Sequence, residues 1–321
     1  MHSSISILIP CYNEEKYISN LIGNIIGQIN FNSLVEVFFI DGGSTDGTVE
    51  IIKKWAKENS NIFLLDNPKK YVPQALNLGL QKATGDFIIR LDAHTIYSSD
   101  YIQKIIETFE KTGADIVGGP MNPVGNGTFQ KAVAAATTSV FGVGNSKFHD
   151  IQHEGFVDTV YLGAWRKTVF QDVGYFDEQM KRNQDDEFHY RAKSRGKTIY
   201  LNPEIRSTYF PRDSFTGLFK QYFQYGLYKP LVIYKNKSEI KLRHLIPLFF
   251  AVYVLSIPFI ISHYILLAPL VLYFAIDIVV SLKIAEDIAV KASSILVFPT
   301  LHFSYGFGFL LGLFKLIASK K

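Results

Sequence analysis

What most constrains the fold of this chain is a couplet repeated through its first third. A short apolar, β-branched run is followed each time by a stretch of helical period. The runs at 5–9, 35–40, 62–65 and 87–91 read as strands, and 115–117 as a further short one. Between them Ile18, Leu21, Ile22, Ile25 and Ile26 share one helical face. So do Val49, Ile51, Ile52 and Trp55, and later Ile102, Ile105, Ile106 and Phe109. Asn13 fits as N-cap of the first helix and Ser99 or Asp100 as that of the last, while Pro73 suits a first helical turn. Strands joined by helices at this spacing call for an α/β fold with a mostly parallel sheet and right-handed crossovers. Sheets of that kind bind ligands beyond the carboxyl ends of their strands. The polar clusters fall at those ends: Tyr12-Asn13-Glu14 after the first strand, Asp41 after the second and Asp92 after the fourth.

The sharpest local signal runs from Asp41 to Thr48. Gly42 and Gly43 allow a tight turn and a close backbone approach to a ligand. Asp41 can accept hydrogen bonds from a base N–H or a ribose hydroxyl. Ser44, Thr45 and Asp46 read as turn and capping residues. The formal charge of +4 is too small to argue for nucleic acid as a partner. Cys11 is the single cysteine, so an internal disulfide and a zinc–thiolate cage are excluded, and its place after a strand marks it as a small buried residue. The first apolar run is too short and lacks the basic flank of a signal peptide, so the first domain is expected to stay in the cytoplasm.

The ordered set Pro10-Cys11-Tyr12-Asn13-Glu14, Asp41 to Thr48, and Gly85-Asp86 ahead of Leu91-Asp92-Ala93-His94 resembles the signature of glycosyltransferase family 2. Together with residues 157–166 and Asn183-Gln184-Asp185-Asp186-Glu187, it is similar to the succinoglycan-type exopolysaccharide glycosyltransferases. The resemblance covers about the first 230 residues. It implies a GT-A nucleotide-diphospho-sugar transferase fold, with a Rossmann-like sheet, and donor contacts from Pro10, Tyr12, Glu14, Asp41 and Asp92. It also implies a divalent cation, Mn²⁺ or Mg²⁺, held by Asp92 across the donor diphosphate. His94 stands where the family has a second acidic residue. Imidazole favours Mn²⁺ over Mg²⁺, so a direct His94 ligand would favour Mn²⁺.

Residues 184–191 resemble the family's base-bearing segment, with Gln184 in place of glutamate, which puts the general base at Asp185 and leaves Asp186 as the alternative. Taking the proton of an acceptor hydroxyl during in-line displacement would invert the sugar. Gln221-Tyr222-Phe223-Gln224-Tyr225 occupies the place of the family's Gln-x-x-Arg-Trp motif, keeping the spacing and losing the charge. Trp165, Asp186, Gln221 and Tyr225 are the acceptor-side candidates; aromatic rings there can stack on sugars or simply pack the core. Residues 119–234 carry no linker-like composition and read as the acceptor half of one domain, 1–234.

After about Leu245 the pattern changes. Three apolar runs, 245–260, 265–282 and 295–317, carry the excess in a hydrophobic content of 48% and point to membrane-anchoring helices, the first two at the short end of a span. The first pair would form a tight hairpin, or one of them could be re-entrant or interfacial. Pro258, Pro269 and Pro299 are expected as kinks. Lys235, Lys237, Lys241, Arg243 and His244 form a basic segment before them, which marks a cytoplasmic face near anionic lipid. Asp277 lies inside the second run. The expectation is a multi-pass protein of the cell membrane with segment 235–321 as anchor. Its donor would be a nucleotide-sugar such as a UDP-sugar, and its acceptor polyprenyl-diphosphate-linked or a saccharide. A catalytically inactive, nucleotide-sugar-binding relative is the alternative. A Rossmann dehydrogenase is excluded, because Pro10-Cys11-Tyr12-Asn13-Glu14 replaces the glycine fingerprint.

Overall fold

The structure, a computed structural model, describes residues 4–28, 35–236 and 240–318; Lys237 of the basic segment lies outside them. The chain divides into two compact units, the first Met1–Asn122 with Asp150–Tyr209 and the second Pro123–His149 with Phe210–Lys321. The boundary expected at 234/235 falls inside the second unit.

The first unit opens with β1 (Ile5–Cys11), α1 (Glu15–Gln28), β2 (Val35–Asp41), α2 (Thr48–Glu58), β3 (Ile62–Asp66), α3 (Val72–Lys82) and β4 (Phe87–Arg90). There follow β5 (Ile96–Tyr97), α4 (Tyr101–Thr112), β6 (Ile116–Gly119) and β7 (Asn122–Pro123). The second unit contributes α5 (Thr128–Thr137) and α6 (Val140–Val143) before the chain returns to the first. There it forms β8 (Gly155–Phe156), β9 (Tyr161–Arg166), α7 (Lys167–Val173), α8 (Gln184–Ser194), β10 (Ile199–Leu201) and β11 (Ser207–Tyr209).

The main sheet has eight strands in the order β3-β2-β1-β4-β9-β6-β10-β8. Strands β3, β2, β1 and β4 are parallel, as the strand–helix couplets require. Between β4 and β6 lies β9, antiparallel to both, which the sequence pattern did not show. Its register breaks between Val117 and Gly119, where Leu162 adopts φ 44°, a left-handed conformation costing a leucine roughly 1–2 kcal/mol. Ile7, Ile9, Phe39 and Ile89 of the sheet, Ile18 and Ile22 of α1, and Ile105 and Phe109 of α4 belong to one buried core. The helical faces read from sequence are the faces that pack.

One local expectation is corrected. Asn13 does not cap α1. It sits at φ 56°, and its side-chain Oδ1 accepts from the Thr45 N–H at 2.8 Å, while the Glu14 carbonyl accepts the first helical bond from Ile18. The left-handed backbone turns the Asn13 amide toward the neighbouring loop instead of toward its own helix.

The second unit continues with α9 (Phe215–Lys235), α10 (Leu242–Ile260), a short 3-10 turn (Tyr264–Leu267), α11 (Ala268–Lys283) and α12 (Ile288–Ala318). Three of its helical segments, Leu242–Ile260, Tyr264–Lys283 and Ile288–Ala318, are long and apolar enough to cross a membrane. Pro258 and Pro299 lie inside helices, but Pro269 takes the first turn of α11, where its missing N–H leaves no bond unmade. Helix α9 lies close along α12. A Cβ on Gly226 would come within 2.0 Å of the Tyr305 carbonyl, and one on Gly308 within 2.1 Å of that of Phe223. His302 joins three elements of this unit, meeting the Tyr273 hydroxyl at 2.7 Å and the Phe141 carbonyl at 2.8 Å.

Gly119→Ala tests the packing behind β6. The added Cβ would lie 1.8 Å from the Ile205 carbonyl oxygen, a backbone atom that cannot swing aside. Thermal denaturation should show a loss of about 3 kcal/mol or more. Gly23→Ala, in the middle of α1 with nothing within 4 Å of its Cβ, should instead gain up to about 1 kcal/mol.

Candidate active site

The chain runs β1, β2, β3 to one side and then crosses back to place β4 on the other side of β1. That reversal opens a crevice beyond the strand ends, the place where open α/β sheets bind ligands. Cys11 and Asp41 are register partners at the ends of β1 and β2, and Leu8 and Arg90 at the end of β4. The loops bearing Tyr12, Glu14, Asp41 and Asp92 therefore gather at one edge of the first unit. Tyr12 is exposed there, while Pro10 belongs to β1.

Asp41 is buried and largely engaged with its own turn. Its Oδ2 accepts from the N–H groups of Gly43 (2.8 Å) and Ser44 (2.9 Å), and its Oδ1 from the Ser44 hydroxyl. Gly43 takes φ 84°, which a glycine supplies without strain. The Asn13 N–H donates to Ser44 Oγ at 2.8 Å and the Glu14 N–H to Thr48 Oγ1 at 2.7 Å. The Asp41 turn is thereby locked to the turn after β1. Glu14 then reaches the third loop, its Oε1 meeting His94 Nδ1 at 2.9 Å.

Asp92 is held by a residue the sequence reading did not select. Arg90, buried at the end of β4, donates through Nε (3.1 Å) and Nη2 (3.0 Å) to Asp92 Oδ1, leaving Oδ2 with a single long contact of 3.4 Å. The main chain of Asp92 is pinned as well, its N–H donating to the Tyr97 hydroxyl at 2.7 Å. Burial alone would pull the Arg90 guanidinium toward losing its proton, but Asp92 and then Asp185 more than reverse this, and the net shift is upward. Burial raises the proton affinity of Asp185, Arg90 draws it back and Asp186 raises it again, so its carboxyl titrates above the ordinary aspartate range. Asp92 and Asp185, 93 positions apart in the chain, thus act on one guanidinium. The signal for Arg90 was available: a cation in an otherwise apolar strand end, two residues before an acidic motif.

Helix α8 carries Asp185 in its first turn, where the helix dipole favours an ionised carboxylate. Asn183 enters it at φ 58°. Glu187 and Arg191 pair across one helical turn at 2.8 Å, and Arg191 also donates to the carbonyls of Val173 and Tyr175, tying α8 to the segment before it. His189 is buried, with Nδ1 at 2.8 Å from the Thr159 hydroxyl, and burial pulls its imidazole down to about 4, so it stays neutral.

Trp165 is corrected as a sugar-stacking candidate. It is 1% exposed on β9, and its ring is surrounded by Phe170, Phe176 and Phe188, so packing already takes its faces. Asp186 stays beside Asp185, its N–H donating to Asp185 Oδ1 at 2.9 Å. Gln221 and Tyr225 lie one turn apart on α9 in the second unit, joined by a 3.0 Å hydrogen bond.

Among the described residues no group of three or more His, Cys, Asp or Glu side chains could enclose a metal ion. The donor set at the crevice is smaller: Asp92 Oδ2, with His94, whose Nδ1 meets Glu14, two residues on. A single carboxylate oxygen fits a hard cation that takes few protein ligands and completes its shell with substrate phosphates and water. It does not fit a protein-enclosed metal centre.

Residues 6–174, more than half of the chain, match the profile of the family described as Glycosyl transferase family 2. The chain is 36% identical over 249 residues to the succinoglycan biosynthesis protein ExoA of Rhizobium meliloti (strain 1021), covering 77% of this chain and 75% of that protein. It is 32% identical over 244 residues, covering 74% and 76%, to a dolichyl N-acetyl-alpha-D-glucosaminyl phosphate 3-beta-D-2,3-diacetamido-2,3-dideoxy-beta-D-glucuronosyltransferase of Methanococcus voltae. The chain belongs to glycosyl transferase family 2. Its fold is GT-A. The mannosyltransferase PcManGT from Pyrobaculum calidifontis, solved with GDP-Man and Mn²⁺, superposes with a TM-score of 0.64 at 15% identity over 100% of this chain and 89% of that one. S. aureus TarS 1–349, solved with UDP-GlcNAc, does so with a TM-score of 0.53 at 16% identity, covering 95% and 92%.

Cys11 offers a direct check on the strand-end geometry. Burial, and then the nearby Asp41, push its thiol up to about 12. The folded protein should therefore resist thiol alkylation at about pH 8 and react fully only after denaturation. Rapid labelling of the native chain would show that the end of β1 is open.

Proposed function

We propose that this protein is an inverting, cation-dependent glycosyltransferase that moves a sugar from a nucleotide-diphosphate donor to a lipid-linked or saccharide acceptor at the cytoplasmic face of a membrane, in surface or exopolysaccharide synthesis. The observation that supports this reading is the buried Arg90 fork on Asp92, with Asp185 of α8 near enough to influence the same guanidinium; the reading takes Asp92 as the donor-side carboxylate and Asp185 as the proton acceptor. Relatives support the two substrates. The ExoA protein acts in succinoglycan biosynthesis, and the Methanococcus voltae enzyme is named for a dolichyl phosphate sugar. GDP-Man and UDP-GlcNAc occupy the two structural neighbours, one of them with Mn²⁺. A UDP-hexose is the proposed donor and a polyprenyl-diphosphate-linked sugar the proposed acceptor. The three apolar helical segments would anchor the protein and keep its catalytic unit near such an acceptor.

Asp185 is assigned as the general base. It takes the proton of the acceptor hydroxyl as that oxygen bonds to the anomeric carbon and the bond from this carbon to the diphosphate oxygen breaks, so the anomeric centre inverts. The elevated proton affinity of Asp185 makes it a stronger base than an exposed aspartate. Asp92 Oδ2, with His94, would hold the divalent cation, which when bound supplies charge neutralisation for the departing diphosphate. Asp41 keeps the Gly42-Gly43 backbone in the shape that admits a nucleotide, and Tyr12 offers an exposed ring beside it.

Asp185→Asn should lower turnover by about 10²–10⁴-fold while nucleotide-sugar binding stays near the wild-type value, read by calorimetry. Asp92→Ala should raise the cation concentration for half-maximal donor binding at least about tenfold. Wild-type turnover in Asp185→Asn would remove the base assignment. The acid limb of the pH–kcat/KM profile marks protonation of Asp185 and should lie above the ordinary aspartate range. Asp186→Asn deletes a neighbouring negative charge that raises this proton affinity, so the limb should move to lower pH.

A further inference from the structure

Arg90 is the buried cation that holds Asp92, and neither the family signature nor the strand pattern singles it out. It sits on the last residue of β4, flanked by β1 through the pairing of Leu8 with Arg90 and by β9 through that of Ile89 with Ala164. The residue is 8% exposed. A buried guanidinium needs an anionic partner, and its planar fork fixes the orientation of the carboxylate that provides one. Here the fork spends Nε and Nη2 on a single oxygen, Oδ1 of Asp92, at 3.1 and 3.0 Å. Oδ2, at 3.4 Å from Nη2, is the oxygen left for another partner. The Tyr97 hydroxyl fixes the Asp92 main chain at 2.7 Å, so rotation about the side-chain bonds is what Arg90 restricts.

The geometry points to Arg90 as a positioning residue that turns Asp92 so that Oδ2 is the oxygen presented to the cation. Arg90 acts through the Asp92 carboxylate. This inference rests on the proposed cation-holding role of Asp92 and not on the base assignment. A lysine at position 90 keeps the charge but has no fork, so it can hold Asp92 by a single point contact. A methionine keeps most of the volume and loses both.

The test compares wild type, Arg90→Lys and Arg90→Met in two measurements. The first is Mn²⁺ binding in the presence of UDP or GDP, with no acceptor and no turnover, read from the electron paramagnetic resonance signal of free Mn²⁺. Loss of an orienting partner typically weakens a metal site about 10–100-fold, so Arg90→Met should bind Mn²⁺ about that much more weakly and Arg90→Lys to an intermediate degree. The second is the melting temperature of each variant without metal, which reads the structural cost of the substitution by itself.

Unchanged Mn²⁺ affinity in both variants, with only the melting temperature lowered, would overturn the inference, since a merely structural arginine predicts that pattern. If Arg90→Met does not fold, Arg90→Lys decides the first arm: wild-type affinity refutes the positioning role and weakened affinity supports it. If Asp185→Asn keeps full turnover, the base assignment fails by itself. The Mn²⁺ measurement still judges Arg90 and Asp92.

Discussion

A guanidinium buried at the end of a strand cannot stay charged without an anion against it, and Arg90 answers that requirement with Asp92 in contact and Asp185 within electrostatic reach. Removing Asp92 would leave the buried guanidinium without its hydrogen-bonded anion; a fully buried pair loses about 3–5 kcal/mol in that way, and Asp92, with its side chain 23% exposed, sets a smaller cost here. Packing and chemistry are therefore coupled here. The interaction that lets β4 end in a charged residue also holds Asp92, the proposed donor-side carboxylate. Asp186 and burial push Asp185 toward protonation, and Arg90 opposes them.

Around this centre the motif residues divide by physical role. Asp41 and Asn13 spend most of their hydrogen-bonding capacity on backbone N–H groups of adjoining turns, which fixes loop shape. Glu187 and Arg191 clamp α8 to the carbonyls before it. Arg166 donates to the carbonyls of Ala114 and Phe109 and lies over the rings of Phe87 and Phe109, joining β9 to α4. Asp92 and Asp185 are the groups proposed for the chemistry.

The second unit follows a different rule. Helices α10 and α11 bury little of their apolar surface, whereas α12 shares a buried core with α5 and meets α9 across Gly226, Gly308 and Gly312, which let two backbones approach closely. Several polar groups within it bond locally: Ser281 donates to Asp277 Oδ1 at 3.1 Å, and His302 spans a tyrosine hydroxyl and a carbonyl. The Gln221–Tyr225 pair rides on α9 and so belongs to this helical assembly, although its place in the sequence had assigned it to the catalytic domain.

Local periodicity made β1 to β4, their helices and the apolar C-terminal runs legible, because burying one face imposes a period of two or 3.6 residues on nearby positions. The ordered motifs likewise marked Asp41, Asp92 and Asp185 before any coordinates. Period and motif are short-range, however, and four decisions lay beyond them. They did not reveal that β9 inserts antiparallel between β4 and β6, since strand order depends on contacts between distant segments. They did not reveal that Trp165 is enclosed by phenylalanines, since an aromatic residue reads alike in a core and at a sugar site. The turn of Asn13 away from its own helix hung on a backbone angle that its neighbours leave open. Above all, residue types alone could not pair Arg90 with Asp92 and bring both to Asp185, because only folding sets those charges in a common low-dielectric space where each changes the others.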